Sequence, residues 1–541
     1  MQRSWCLPVG LALMVLACGP SSGPTPAAPG SESGEPRYGG VFNFREDPDP
    51  FNFDISYSKS NPNDNAMGLA YDSLLDFKMG PPYGYTHWEL EPGLAERWEV
   101  SPDAKSFTFY LRKGAKFHNL PPVNGREVTS TDVKFTADYR LRSGEFKEKK
   151  LPQGELDYMF EGLERVDTPD KYTVVFHFKE PFVPFVNYAA SDWNPIMPRE
   201  VYDQDGHFQD QLIGAGPFYL DRAASQKGTR WVFKKNSEYW DPKKPYVDEI
   251  RWLIIAEASS AYAAFQTKQL DMLWGVLSND AREVGKANPN VNREKTLVPI
   301  AQQLFLSMAP ERNSPLRDVR VRQAIALSTD RDEINKLMKG GEGEWGFPGA
   351  VYGLFTDAEI KSMQKYDLEQ AKRLIVEAGY PNGVKLEWPS PNDTDREDVA
   401  LRELLQAQWR KAGVNLELTF LDKAEQRARK RQGLFDIDIG ATGYHDDPDS
   451  LQYGRYHSKS RNNNNFVRDA ELDKMIEAAR RETDPAKRRE IMRANSRWIH
   501  ARAYTVELLY SPEFYFWHPY VKNYRPSFWS QADYAFIWLD K

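Results

Sequence analysis

No thiol follows Cys18 in this chain, and the only other cysteine is Cys6. Disulfides therefore cannot brace the bulk of the fold. The chain must rest on a large hydrophobic core, and its 541 residues allow one, spread over two or three domains. Hydrophobic residues at 40% and charged residues at 28% are the balance of a globular protein. A formal net charge of -7 argues against nucleic acid as a partner. Aromatic residues reach 13%; most are expected in the core and a few in a binding cleft.

Arg3, the apolar stretch from Trp5 to Leu16 and the small residue Ala17 have the layout of a secretory signal. About a dozen apolar residues fall short of the roughly 20 needed to span a bilayer. Val15-Leu16-Ala17-Cys18 resembles the bacterial lipobox, whose cysteine is lipidated and becomes the first mature residue. That resemblance implies a lipoprotein signal peptide at 1–17 and an extracytoplasmic body, in the periplasm or at the cell surface, held to the membrane by lipidated Cys18. The competing reading is a secreted protein in which Cys18 is incidental. Residues 18–36 are rich in Gly, Ser and Pro and nearly free of apolar side chains, which predicts a flexible tether. Its coil span is roughly 20–25 Å.

The folded part is expected from about residue 37. Val41–Phe44, Ser106–Leu111 and Tyr172–Phe178 alternate like strands, as do Val414–Phe420 and Phe435–Ile439. A helix is expected around Asn65–Leu75, and Thr131-Asp132-Val133 reads as another helix start. Asp367 with Gln370 resembles a capping box, and Gly379 stands where that helix should stop. Glu397–Ala412 reads as a long amphipathic helix ended by Gly413. Strands alternating with helices predict α/β layers.

Several segments together resemble one family. They include Pro92-Gly93-Leu94-Ala95-Glu96-Arg97-Trp98, Gly214-Ala215-Gly216-Pro217-Phe218, Tyr239-Trp240 and Asp318-Val319-Arg320-Val321-Arg322-Gln323-Ala324. Ala371-Lys372-Arg373-Leu374 and Glu377-Ala378-Gly379-Tyr380 follow. The chain is similar to extracellular solute-binding proteins of family 5, the peptide-, nickel- and opine-binding components of ABC importers. The resemblance implies a class II periplasmic-binding-protein fold, with two α/β lobes, a hinge and an extra subdomain on lobe one. Lobe one is expected at 37–298 plus 505–541, including the subdomain at 76–204, and lobe two at 299–504. The crossings fall near Val298–Gln303 and Thr505–Tyr510. It further implies a peptide or other small-molecule solute as ligand, permease and ATPase subunits as partners, a monomeric state and no catalysis.

Thr442-Gly443-Tyr444-His445-Asp446-Asp447-Pro448-Asp449 follows an expected strand, where loops of α/β folds bind ligands. In peptide-binding relatives a carboxylate four residues before the matching proline pairs with the ligand's amino terminus; here that position is Tyr444. Tyr444 can stack and hydrogen-bond but cannot neutralise an ammonium. Asp446 or Asp447 is placed to do so from a shifted position, and His445 lies between. For Asp447 and Asp449 the favoured reading is a solvated acidic turn with Asp449 as a helix cap. Family position also nominates Phe51 after the first strand, Trp274 after Gln269-Leu270-Asp271, and Trp388 before a Pro/Asn loop.

Gly341-Glu342-Gly343-Glu344-Trp345-Gly346 fits GxGxxG, but a helix precedes it and two glutamates would repel a pyrophosphate, so it reads as a turn. His445 and His457 alone make a poor metal site, and no cofactor is expected. An oligosaccharide or other polar ligand, stacking on Tyr444 and the tryptophans, is the alternative within the family. An extracellular hydrolase built on the acidic loop is the alternative outside it, and a receptor feeding a sensor is a third.

Overall fold

Val41–Glu46 forms a strand because Phe42 and Phe44 alternate with more polar residues, which suits a sheet with one face buried. It pairs in parallel with Glu249–Ile254 and touches Met272–Leu277 through Phe44 and Met272. The computed structural model describes residues 34–54, 61–85, 87–149, 151, 154, 156–394, 396–441, 447–527 and 531–541. Cys18, Tyr444, His445 and Asp446 lie outside the described residues, as does most of the expected tether.

The main sheet has nine strands. Along its path run Ile437–Ala441, Asn292–Leu306, Thr505–Trp517, Met272–Leu277, Val41–Glu46, Glu249–Ile254, Arg230–Lys235 and Phe218–Leu220. The short strand Glu344–Trp345 pairs with Thr505–Trp517. A four-stranded antiparallel sheet, built from Ala95–Val100, Ser106–Leu111, Thr173–Phe178 and Leu163–Asp170, forms the subdomain with helix Ser130–Leu141. Segment 72–75 of lobe one fastens it: Leu75 N–H donates to the Ala189 carbonyl at 3.0 Å, and Ile196 N–H to that of Asp72 at 3.0 Å.

Lobe two carries the parallel pair Val384–Pro391 and Val414–Leu421, flanked by helices Val319–Ser328, Leu368–Glu377 and Arg396–Arg410. Asp367 caps the second of these by accepting from Gln370 N–H, and Gly379 and Gly413 turn the chain at positive φ after the second and third. Its core gathers Leu304, Leu306, Ile325, Trp388, Leu405, Trp409 and Leu508.

Two strands run from one lobe into the other. Asn292–Leu306 and Thr505–Trp517 pair antiparallel from Asn292 opposite Trp517 to Phe305 opposite Thr505. Their register shifts between Leu297 and Ala301 and again between Ala301 and Gln303. These irregularities replace regular ladder bonds where the backbone passes between lobes, and such local breaks are where a hinge takes up rotation. Both described ends belong to lobe one. Arg37 Nη1 lies 2.5 Å from Asp540 Oδ1, and Gly34 sits against the Trp538 ring.

Candidate functional site: the junction between the lobes

Three strands end at the junction with their carboxyl ends towards the hinge. In lobe one these are Val41–Glu46 and Met272–Leu277, and in lobe two it is Ile437–Ala441, whose Ala441 pairs with Gln302. Ligands of open α/β sheets bind beyond such ends.

On the lobe-one side the sheet breaks into a bulge. Leu273 faces Phe516 and Val276 faces Phe514, so Trp274 and Gly275 together stand against Tyr515. Gly275 takes φ +67, a conformation that a side chain would strain. Trp274 is half-buried, and its indole N–H donates to the Arg45 carbonyl at 2.9 Å, which fixes the ring over the end of the first strand. Two carboxylates lie on the strands that meet here, Glu46 next to Arg45 and Glu513 opposite Leu277. Glu46 is buried and accepts from Asn65 Nδ2 at 2.9 Å; burial pushes its carboxyl up to about 7. Glu513 pairs in register with Leu277 and Thr296, and its carboxylate stands beside Gly275. It meets no hydrogen-bond or ionic partner among the described residues, and burial alone pushes it up to about 7. Tyr515 adds a hydroxyl 3.2 Å from that of Tyr85.

On the lobe-two side, Ser390 and Gln303 are buried with their side-chain polar atoms unpaired among the described residues. Buried polar groups left in that state favour a partner supplied from outside. Trp388 is elsewhere: at 0% exposure it belongs to the lobe-two core, with the Arg402 guanidinium 5.0 Å from its ring. A ring enclosed by its own lobe offers no face to a ligand in this conformation. Phe51 is 61% exposed, and its N–H donates to Asn63 Oδ1 at 2.9 Å.

The acidic turn differs from expectation. Asp447, not Asp449, is the helix cap: its carboxylate accepts from Asp449 N–H at 2.8 Å at the start of helix Pro448–Tyr456. Neither residue is solvated, each being 1% exposed. Arg488 grips Asp447 at 2.6 and 3.0 Å, and Arg480 Nε lies 3.1 Å from Asp449. Burial raises the Asp449 carboxyl above the usual range.

Sequence reasoning missed Glu46, Glu513, Gln303 and Ser390. Glu513 had a signal, a lone carboxylate between Pro512 and Phe514 in the run 508–517, which is otherwise aliphatic, aromatic or proline except for Ser511. The others carried none, since their burial follows from the joining of distant strands.

Residues 89–464 match the family model of bacterial extracellular solute-binding proteins, family 5 Middle. The dipeptide-binding protein of Escherichia coli K12 is 31% identical over 424 residues, 75% of this chain and 76% of the relative. The di/tripeptide-binding protein 1 of Pseudomonas aeruginosa is 28% identical over 82% of this chain and 83% of its own. Among solved structures, a periplasmic binding protein of Helicobacter pylori associated with an ABC transporter, in complex with the peptide STSA, superposes with TM-score 0.79. It shares 25% identity over 93% of this chain and 99% of that one. Two lobes, paired crossing strands and a junction lined by strand ends thus coincide with the matched sequence: the chain belongs to the extracellular solute-binding proteins of family 5.

Proposed function

We propose that this protein is a lipid-anchored extracytoplasmic receptor that traps a peptide between its lobes and presents its closed form to an ABC permease and its ATPase. What carries the reading is its 31% identity to a dipeptide-binding protein across three quarters of both chains. The lobe-one wall supports it. Glu513, without a cationic partner among the described residues, suits the ammonium that Tyr444 cannot neutralise. Trp274 beside it offers a face for an apolar side chain.

Closure follows from differential affinity: only the shut form makes both sets of contacts, so ligand shifts the population towards it. The cargo leaves unaltered and the receptor works as a monomer.

Calorimetry with di- to pentapeptides tests the ligand class. Micromolar binding, about -8 kcal/mol, is the expected outcome. Silence from every peptide overturns the peptide assignment. Mass spectrometry of peptide recovered after incubation should find it intact, and cleavage products would make the protein an enzyme.

A further inference from the structure

Away from the hinge, the lobes meet a second time. Helices Pro448–Tyr456, Ala470–Arg481 and Pro485–Ala501 of lobe two face segments 157–161 and 182–188 of the subdomain. We propose that this second junction is a closed-state clasp that sets ligand affinity without touching ligand. The inference rests on the two-lobed binding mechanism above.

The distribution of charge explains how such a clasp releases. Four of its charged side chains, Asp447, Asp449, Arg480 and Arg488, lie in lobe two and compensate one another there. Parting the lobes therefore strands no single buried charge, which would make opening prohibitive. Lobe one brings mostly neutral groups. The Tyr188 hydroxyl donates to Asp449 Oδ2 at 2.7 Å, and Asn187 Nδ2 donates to Asp447 Oδ2 at 2.9 Å. The Tyr158 carbonyl accepts from Arg480 Nη2 at 2.8 Å. Val183 N–H donates to the Arg480 carbonyl at 3.0 Å, a backbone bond that exists only while these surfaces touch. Around these bonds the Tyr158 ring stacks on Tyr453 at 6.0 Å, and the Arg480 guanidinium lies 4.6 Å from the Phe182 ring. Glu161 at the rim adds a lobe-one charge, 3.3 Å from Arg480, and Asp157 is paired within lobe one by Arg142.

Segment 182–188 moves with lobe one, because the next residue, Ala189, accepts from Leu75 N–H. The clasp thus spans the surfaces that the hinge separates. Neutral donors on carboxylates are strong enough to bias closure and weak enough to yield. Apparent affinity scales with the fraction of molecules that reach the closed form, so loss of the clasp weakens all ligands by one common factor.

Tyr188→Phe removes one hydroxyl and keeps the buried ring. Amide exchange at Val183 is the direct readout, measured on the full chain alone and with a pool of di- to pentapeptides. The variant should exchange Val183 about tenfold faster and raise the apparent Kd of every bound peptide by a similar factor, chiefly through faster release. Glu161→Gln, on a residue 40% exposed at the rim, should give a smaller shift in the same direction. Thermal unfolding verifies that both variants fold. If both fold with unchanged exchange and affinity, the clasp is overturned. A Val183 amide unprotected under every condition also overturns it. If protection falls in Tyr188→Phe but no peptide alters exchange or binds, the clasp stands and the peptide assignment falls.

Discussion

Arg488 holds Asp447 through two parallel bonds, Nη2 to Oδ1 at 2.6 Å and Nη1 to Oδ2 at 3.0 Å, while the same carboxylate caps helix Pro448–Tyr456. One buried side chain thus fixes both the start of the helix and its orientation to the next one but one. Arg488→Met should cost about 3–5 kcal/mol, because it leaves Asp447 buried without its counter-charge. Adding Asp447→Asn, which keeps a capping oxygen, should restore much of that loss. Urea unfolding of the single and double variants measures both; equal stability of the two would refute the pairing argument.

Glu513 should make stability fall with rising pH. Its carboxyl titrates near 7 when folded, against an ordinary value of 4.5. Between those values the folded chain keeps a proton that the unfolded chain releases, so stability drops as pH climbs from about 4.5 to 7 and then levels off. Glu513→Gln should remove roughly 1–3 kcal/mol of that slope, seen by comparing urea midpoints at pH 4.5 and 8. An identical pH profile for variant and parent would contradict this.

Trp388 and Trp274 should separate when each is replaced by alanine. Trp388→Ala opens a cavity in the lobe-two core and should cost about 3–5 kcal/mol of stability. Trp274→Ala, at the half-buried junction, should weaken peptide binding about tenfold with a smaller stability loss. Calorimetry paired with thermal unfolding distinguishes the two effects.

Under the proposed lipid anchoring, Cys18→Ser should release the protein from membranes into the soluble fraction, since a diacylglyceryl group would have no thiol to carry it. Fractionation followed by immunoblotting reads this out, and persistence in the membrane pellet would rule out the anchor.

Local patterns made much of the architecture legible. Thr-Val-Val-Phe-His-Phe in 173–178 forms a strand with strict alternation of burial, and Gly413 ends helix Arg396–Arg410. The strand expected at Phe435–Ile439 begins two residues later, at Ile437. There the Asp436 carboxylate is taken up by Arg312 and Ser314 instead of alternating outward. The helix after Thr129 starts one turn-position earlier than Thr131 suggested, because Thr129 and Asp132 form the capping box.

The second junction was not legible. Tyr188 and Asp449 stand 261 positions apart, and nothing local tells a buried Asp-Pro-Asp turn from a solvated one. Its burial depends on Arg480 and Arg488, which belong to two later helices. Trp388 shows the converse difficulty. A tryptophan near a strand end reads as a contact, yet Arg402 and the packed helices around it enclose it.

The ion pair between Arg37 and Asp540 brings the two described ends of the chain together on one lobe. With the proposed anchor, a pull arriving at Arg37 would be borne by that half and would bypass the bending strands. Under the proposed anchoring one jaw would be moored while the other carried no load, so the tethered molecule would open and shut by swinging its free jaw, with the same ease as one adrift in solution.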